Sequence, residues 1–248
     1  LVSERFIGTF NLWLNYLSSR GYTNYWKVLN AKDYGVPQKR IRFILVGSLK
    51  DNVHNFFERL EKNKKEFLKQ KDLVETTTVE DAISDLLKSN GCYRCPDCVQ
   101  NFQNGKYGKI TSKYQYYMRK GQNAQPNSHR FAKHTKNIID LQQRIIDNIT
   151  PGLRITPSDN LIEGLKRRGV TLLDKNGQSP TITSHPDDLV HYCEPRILSV
   201  REMARLQSFP DWYEFKGKYT TGGELRKVDV PRYTQVGNAV PPLFAELL

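Results

Sequence analysis

Residues 25–42 read Tyr25-Trp-Lys-Val-Leu-Asn-Ala-Lys-Asp-Tyr-Gly35-Val-Pro-Gln-Lys-Arg-Ile-Arg42, and an apolar run follows them through Val46. The first five residues are rich in aromatic and branched side chains, which indicates a strand, and the run that ends near Gly47 indicates a second one. Gly35 and Pro37 lie between the two and indicate a turn. The stretch therefore predicts two consecutive strands joined by a short connection.

The residues before this stretch predict a helix over 4–20. Ser3 can cap its start and Gly21 can end it. Apolar side chains recur at helical spacing within it, namely Phe6, Phe10, Trp13, Leu14 and Leu17. A helix followed by a strand, a turn and a strand is typical of the edge of an α/β sheet.

Other segments carry weaker local signals. Periodicity predicts helices over about 50–72 and 135–149, and residues 91–130 indicate loops and short strands. Two pairs, Thr77 with Glu80 and Ser199 with Glu202, have the spacing of capping boxes, and the second predicts a helix through Leu206. Residues 179–184 are compatible with a short strand.

Gln38, Arg40 and Arg42 alternate along the second predicted strand, so their side chains are expected to share one face. Two guanidinium groups and an amide at the end of a strand suit phosphate and carbonyl oxygens, which need planar partners with several donors. A solvated strand face with surface salt bridges is the alternative on composition alone.

Charge is distributed unevenly along the chain. Its 248 residues include 38 Lys and Arg against 26 Asp and Glu, a net charge of +12. Residues 98–139 hold no Asp or Glu, while lysines, arginines and tyrosines are interleaved there. This segregation favours contact with a nucleic acid over a generally basic surface. The candidate DNA contacts are Lys106, Lys109, Lys113, Arg119, Lys120 and Arg130.

Four cysteines without a secretion signal favour a reducing compartment over a disulfide framework. Cys92, Cys95 and Cys98 form two overlapping Cys-x-x-Cys units, a spacing that suits zinc, although zinc takes four ligands. Cys193, His129 or His134 could complete such a site, and three reduced thiols in a polar loop are the alternative.

Two later segments change the weight of these alternatives. They are Ser199-Val-Arg-Glu-Met-Ala-Arg-Leu-Gln-Ser-Phe-Pro210 and Thr234-Gln-Val-Gly-Asn-Ala-Val-Pro-Pro242. In chain order, residues 30–42, 199–210 and 234–242 resemble motifs eight, nine and ten of the cytosine-5 DNA methyltransferases. Residues 78–86, 128–134 and 179–184 are similar to family landmarks around the target-recognition region, so the resemblance covers nearly the whole chain.

The resemblance implies an α/β fold, with the edge of an incomplete Rossmann-like methyltransferase sheet and a smaller, irregular, loop- and β-containing target-recognition domain. Residues 1–50 would belong to the catalytic α/β domain and residues 51–195 to the target-recognition region with helical insertions. Residues 196–248 would supply the motif nine helix and the return of motif ten to the catalytic domain.

The resemblance also implies a function. Family members rotate a cytosine out of duplex DNA, add a cysteine thiolate to it and transfer a methyl group from S-adenosylmethionine. Arg42 would then hold the flipped base, with Arg40 and Gln38 as supports near the DNA backbone. Asn238 and Ala239 would contact the cofactor, at a tight Gly237–Asn238 turn, and Pro241 would begin the next helix. Motif nine would brace the recognition region.

The family's glycine-rich cofactor loop, Pro-Cys nucleophile and Glu-Asn-Val segment do not occur in these 248 residues. We therefore expect the chain to be a C-terminal portion that is inactive alone and works with an N-terminal catalytic half, in cis or in trans. A subunit of a split enzyme and a non-catalytic DNA-binding remnant are the alternatives. The resemblance implies double-stranded DNA as partner, no membrane association, and a cytoplasmic protein of prokaryotic or phage origin in a restriction-modification setting.

Overall fold

The computed structural model describes residues 4–50, 53–98, 101–122, 125–166, 169–220 and 228–248. Helix α1, Glu4–Ser19, comes first, and Gly21 follows it with a left-handed φ of 87°. The predicted helix is confirmed, while its predicted cap, Ser3, lies outside the described residues.

Strands β1 (Thr23–Asn30) and β2 (Ile41–Ser48) form an antiparallel pair along their full length. A 3-10 turn, Ala31–Tyr34, leaves β1, and Gly35 ends it with a φ of 78° that only glycine adopts without strain. The predicted order of helix, strand, turn and strand is confirmed. Residues 38–40 precede β2 and are not part of it, which matters for the site.

The remaining helices are α2 (Phe56–Gln70), α3 (Val79–Ile83), α4 (Lys113–Arg119), α5 (Lys136–Asn148), α6 (Val200–Leu206), α7 (Arg232–Asn238) and α8 (Pro242–Leu247). The capping box of α6, Ser199 with Glu202, is confirmed. The cap of α3 lies one residue later than predicted, because Thr78 and Asp81, rather than Thr77 and Glu80, exchange the hydrogen bonds.

Two small sheets lie in the region between α3 and α6. Strands β3 (Cys92–Arg94) and β4 (Gln103–Gly105) are antiparallel, and β5 (Arg154–Ile155), β6 (Val170–Leu172) and β7 (Leu189–Val190) form a three-stranded sheet. The short strand predicted for residues 179–184 is wrong. Ser179 forms one isolated bridge with Gln38, and the segment runs as an irregular chain against residues 38–40.

The principal hydrophobic core contains buried side chains from Leu29 to Phe244. It therefore includes residues from each of the three predicted parts, residues 1–50, 51–195 and 196–248. A smaller cluster joins α5 to the three-stranded sheet, with Ile145, Ile155, Val170 and Leu172 at its centre. Helix α6 lies inside the principal core, since all seven of its residues are buried.

The unit formed by α1 and β1–β2 exposes large apolar side chains. Phe10 packs on the rings of Trp26 and Phe43 on the inner side. Other large apolar side chains of the unit remain in solvent, with Leu12 72%, Ile41 60% and Tyr16 56% exposed. Within the described part of the chain, no helix has both the length and the apolar character needed to cross a membrane.

Candidate functional site

Arg42 is the second residue of β2, opposite Leu29 of β1. Its side chain is partly exposed, and Nη1 donates to the carbonyl of Ile41 at 2.7 Å. Partial burial lowers the pKa of the guanidinium below its usual range without depriving it of charge at neutral pH. Arg42 therefore presents a charged group with several donors at the start of the strand.

Gln38 and Arg40 do not share this exposure, contrary to the expectation of one common face. Both side chains are buried, at 0% and 4% exposed. The alternation rule fails here because residues 38–40 precede the strand and lie against the segment that contains Ser179 and Ile182. The structure thus places Arg42 apart from its two predicted supports.

Gln38 joins three segments through its amide group. Nε2 donates to Oε1 of Gln207 at 2.9 Å and to the carbonyl of Leu206 at 3.3 Å. Oε1 accepts from the backbone N–H of Ile182 at 2.8 Å. The amide of Gln207 in turn donates to the carbonyl of Val236 in α7 at 2.9 Å. These bonds connect the segment before β2 to the end of α6 and to α7.

Arg40 contacts carbonyl oxygens from two other segments. Nη1 donates to Ile182 at 3.1 Å, and Nη2 donates to Gly237 at 3.2 Å and to Ala239 at 3.0 Å. Burial and the neighbouring charge of Arg42 lower the pKa of Arg40 to about 10. Arg40 is thus still cationic at neutral pH and is directed toward the end of α7.

Asn238 is the last residue of α7 and is exposed, and Ala239 follows it in an extended conformation. The predicted tight turn at Gly237–Asn238 is wrong, because both residues are helical. Gly237 is required for another reason: a Cβ there would overlap the backbone of Thr183. The predicted helix start is one residue early, since Pro242 is the first residue of α8 and Pro241 its cap.

Helix α6 carries buried charged side chains that connect it to neighbouring segments. Arg205 donates from Nε to Asp211 at 2.6 Å and from Nη1 to Asp85 at 3.1 Å, and all three side chains are fully buried. Burial opposes the charge of Arg205, but the two carboxylates outweigh it and raise its pKa. Arg201 donates to the carbonyl of Asn127 at 3.1 Å, next to the loop that follows α4.

A second buried network surrounds the cap of α6. Glu202 accepts two bonds from Arg196, at 2.8 and 2.6 Å, and one from the N–H of Ser199 at 2.7 Å. Burial opposes the charge of Glu202, yet Arg196 lowers its pKa to about 2. His129 contacts Ser199 Oγ at 2.7 Å and the carbonyl of Leu86 at 2.8 Å, and burial lowers its pKa to about 4. The Glu202 carboxylate and the His129 imidazole therefore have structural roles.

The predicted DNA contacts fall into two sets. Lys106, Lys109 and Lys120 are exposed, and Lys120 lines a groove of about 730 Å³ with Tyr116 and Trp212. The other set is engaged within the protein. These contacts are Lys113 with Asp72 at 2.5 Å, Arg119 with Asp85 at 3.5 Å and over the ring of Tyr107, and Arg130 between the rings of Phe102 and Tyr219.

The cysteines do not converge on a four-ligand site. Cys95 and Cys98 form a disulfide beside Asp97, whereas the sequence suggested reduced thiols. Cys92 is free and its Sγ lies 3.8 Å from the carbonyl of Lys88. His129, His134 and Cys193, the candidates for a fourth ligand, contact other groups. The arrangement of these residues therefore does not support a zinc site.

Sequence reasoning missed several residues of the site. Gln207, Asp85, Asp211 and Arg196 hold the motif segments together, and only their partners in the fold reveal it. Gln207 directly follows α6, and from the sequence alone it is simply a polar residue at the end of a helix. A buried amide and an exposed one have the same appearance in a sequence.

The chain is similar in sequence to several type II methyltransferases. The type II methyltransferase M.DdeI of Desulfomicrobium norvegicum is 30% identical over 93% of this chain and 54% of that protein. The type II methyltransferase M.MthTI of Methanothermobacter thermautotrophicus is 31% identical over 100% of this chain and 61% of that protein. M.AquIB of a Picosynechococcus species is 44% identical over 38% of this chain and 70% of that protein. The chain spans about half the length of the curated relatives that match most of it.

The fold is also similar to a solved structure. A structure described as a DNA modification methyltransferase encoded within an E. coli prophage has a TM-score of 0.61, with 24% identity over 99% of this chain and 64% of that chain. This likeness shows a mixed α/β, methyltransferase-like fold. The family model for C-5 cytosine-specific DNA methylases matches residues 1–248, so all three motif segments and the scaffold that joins them fall within it. The chain therefore belongs to the C-5 cytosine-specific DNA methylase family.

Proposed function

We propose that the chain is the DNA-recognising part of a DNA (cytosine-5-)-methyltransferase. The whole enzyme transfers a methyl group from S-adenosylmethionine to a flipped cytosine in a specific duplex sequence. The observation that carries the proposal is the position of Arg42, which is partly exposed two residues from a buried scaffold that reaches Asn238. A base-facing donor and a cofactor-facing amide are thereby attached to one rigid unit.

Arg42 holds the flipped base in this proposal. Cytosine must leave the stack before its ring carbons become accessible, and a planar guanidinium donates well to a base carbonyl. The thiolate that adds to the ring and the carboxylate that supports it come from sequence outside these residues, since no Pro-Cys pair occurs among them. Arg42 therefore orients the substrate and does not form the covalent bond.

Asn238 and Ala239 contact S-adenosylmethionine, which supplies the methyl group when bound. The amide of Asn238 is exposed, whereas the carbonyls on either side of it are occupied by Arg40. An exposed amide on a fixed backbone suits the polar amino-acid end of the cofactor, which offers both donors and acceptors. The residues present thus fit one wall of a cofactor site whose remainder lies elsewhere.

Residues 51–195 form the target-recognition region in this proposal, with residues 196–248 returning the chain to the catalytic domain. Exposed Lys106, Lys109 and Lys120 neutralise DNA phosphates, which contributes affinity, while loops of the small sheets contact base edges. The DNA partner is duplex, because base flipping starts from a stacked pair.

Residues 1–50 form the edge of a Rossmann-like sheet that continues outside this chain. The support is the exposed apolar surface of this unit, where Leu12, Tyr16 and Ile41 are each more than half exposed. An exposed face of this kind indicates an interaction surface. We propose that an N-terminal catalytic half, in cis or in trans, covers it, and that the chain is inactive without that half.

The test is a methyl-transfer assay with labelled S-adenosylmethionine and duplex DNA. The chain, a catalytic half that carries the Pro-Cys segment, and their mixture are compared. Transfer to DNA by the mixture, and by neither part alone, is the expected result. Sequence-specific DNA binding by the mixture without any methyl transfer would contradict the proposal and favour a non-catalytic DNA-binding protein.

A further inference from the structure

Three buried polar side chains meet at the end of α7. Gln38, Arg40 and Gln207 are at most 4% exposed, and each reaches a segment distant in sequence. Burying an amide or a guanidinium is costly unless its donors find acceptors. The acceptors that Arg40 and Gln207 find around α7 are backbone carbonyls, not carboxylates. The arrangement therefore serves the backbone of α7 rather than an ion pair.

The end of α7 needs such partners. The last four carbonyls of an α-helix have no partner within it, and the helix dipole makes this end partially negative. Gln207 donates to Val236, and Arg40 donates to Gly237 and to Ala239 beyond the helix end. Arg40 thereby offers both a positive charge and a fork of donors where the helix lacks both.

The opposite side of the end of α7 is closed by packing. Gly237 lies so close to the Thr183 backbone that a Cβ has no room, and Ile182 beside it accepts from Arg40 and donates to Gln38. The residues before Asn238 are consequently fixed from two sides. Asn238 itself stays exposed.

We propose that Arg40, together with Gln38 and Gln207, is a positioning residue that fixes the Asn238–Ala239 end of α7 and does not contact DNA. The cofactor part of this inference rests on the proposed function. Arg40 and Arg42 are two residues apart, at most about 7 Å along the chain. The segment 40–42 therefore links Arg42, which holds the base in the proposed function, to the end of α7, which faces the cofactor.

The first test needs only this chain. Hydrogen exchange is measured for Arg40→Lys and Arg40→Met, with Arg59→Met at an exposed position of α2 as the matched control. Faster exchange at residues 236–240 in both variants, with α6 amides still protected, is expected because the carbonyl partners are lost. Unchanged exchange at 236–240, or a uniform increase that includes α6 in both variants, would overturn the proposal.

The second test uses the chain with its catalytic half. Arg40→Lys is expected to raise the KM for S-adenosylmethionine about tenfold. The reason is that the Asn238–Ala239 end of α7 less often adopts the conformation that binds the cofactor. DNA affinity is expected to stay within about twofold. Weaker DNA binding with an unchanged KM would overturn the positioning role in favour of a DNA contact. A wild-type mixture without methyl transfer would refute the proposed function alone, since the exchange result would still decide the role of Arg40.

Discussion

Arg205 is a guanidinium held wholly inside the protein by two carboxylates. Asp85 comes from the turn after α3, and Asp211 from the loop after α6. Isolated buried charges are far more costly than paired ones, so the three side chains are stable only as a set. The set ties the turn after α3 to α6 and to the loop that follows it.

Removing Arg205 should therefore be severe. Arg205→Ala leaves Asp85 and Asp211 with only the longer cation contacts of Arg119 at 3.5 Å and Arg201 at 3.6 Å. We expect a loss of about 3–5 kcal/mol in the free energy of unfolding. Denaturant unfolding of the chain checks this. Arg144→Ala, at an exposed position of α5, is the control and should change stability by about 0.5 kcal/mol or less. Similar losses in the two variants would contradict the role of the buried set.

His129 gives the chain a predicted pH dependence. Burial lowers its pKa to about 4 in the folded protein, against the usual 6.5. The folded state therefore binds fewer protons than the unfolded state between these values. Its stabilising contribution is complete above pH 6.5 and is lost progressively as pH falls toward 4, by up to about 1.4 kcal/mol per pH unit.

His129→Asn should make the fall in unfolding free energy between pH 6.5 and 4 shallower than in the unmodified chain. Buried His191, whose pKa is lowered to about 3 by burial, accounts for part of the remaining slope. Denaturant titrations at several pH values measure the effect. His185→Asn, at an exposed position, is the control. Equal slopes for the His129 variant and the unmodified chain would refute the assignment.

The roles of Gln38 and Arg40 could not be predicted from sequence at this scale. Alternation along a strand predicted that they share a face with Arg42, yet they precede the strand. Their partners lie between 142 and 199 residues away along the chain. Burial of this kind is a property of tertiary packing, which no local pattern contains.

At the scale of elements, α7 shows why a local rule can identify a residue and miss its reason. A Gly-Asn pair predicts a tight turn, but the pair ends a helix. Gly237 is needed because the Thr183 backbone occupies the place of a Cβ.

Gly237→Ala should destabilise the chain, although alanine usually favours a helix over glycine. We expect a loss of about 1–3 kcal/mol from overpacking against backbone atoms that cannot yield. Gly8→Ala is the matched control within α1, because a Cβ at position 8 meets nothing within 4 Å. The control should gain up to about 1 kcal/mol. Thermal and denaturant unfolding measure the stability of both variants. Equal changes of the same sign in Gly237→Ala and Gly8→Ala would contradict the packing argument.

Elements with strong local signals were predicted well. The capping box of α6, the helix α1 and the pair β1–β2 are confirmed, since caps and side-chain periodicity act over a few residues. The segment 179–184 was wrong as a strand because its backbone bonds to residues 37–39 rather than to a sheet. Short β-prone segments are decided by their neighbours.

At the scale of the whole molecule, the exposed apolar face of α1 is the feature that the contacts within the described residues do not explain. Leu12 and Tyr16 lie four residues apart on α1, and both are more than half exposed. Such a face tends to associate with another surface.

Replacing Leu12 and Tyr16 with Glu should weaken binding of a catalytic half by about a hundredfold, because two buried anchors typically contribute about 1–2 kcal/mol each. Calorimetry or a pull-down titration measures the affinity. Val228→Glu, 81% exposed and outside this face, is the control. Unchanged affinity in the double variant would show that the half binds elsewhere.

We propose that Arg42 orients a flipped cytosine while the rest of the chain recognises duplex DNA. The most direct measurement is single-turnover methyl transfer by the chain with its catalytic half, beside the duplex dissociation constant, for Arg42→Ala. Loss of one charged contact to the base predicts a rate about 10–100 times lower. The dissociation constant should change about threefold or less. Equal losses in rate and affinity, or an unchanged rate, would contradict the claim.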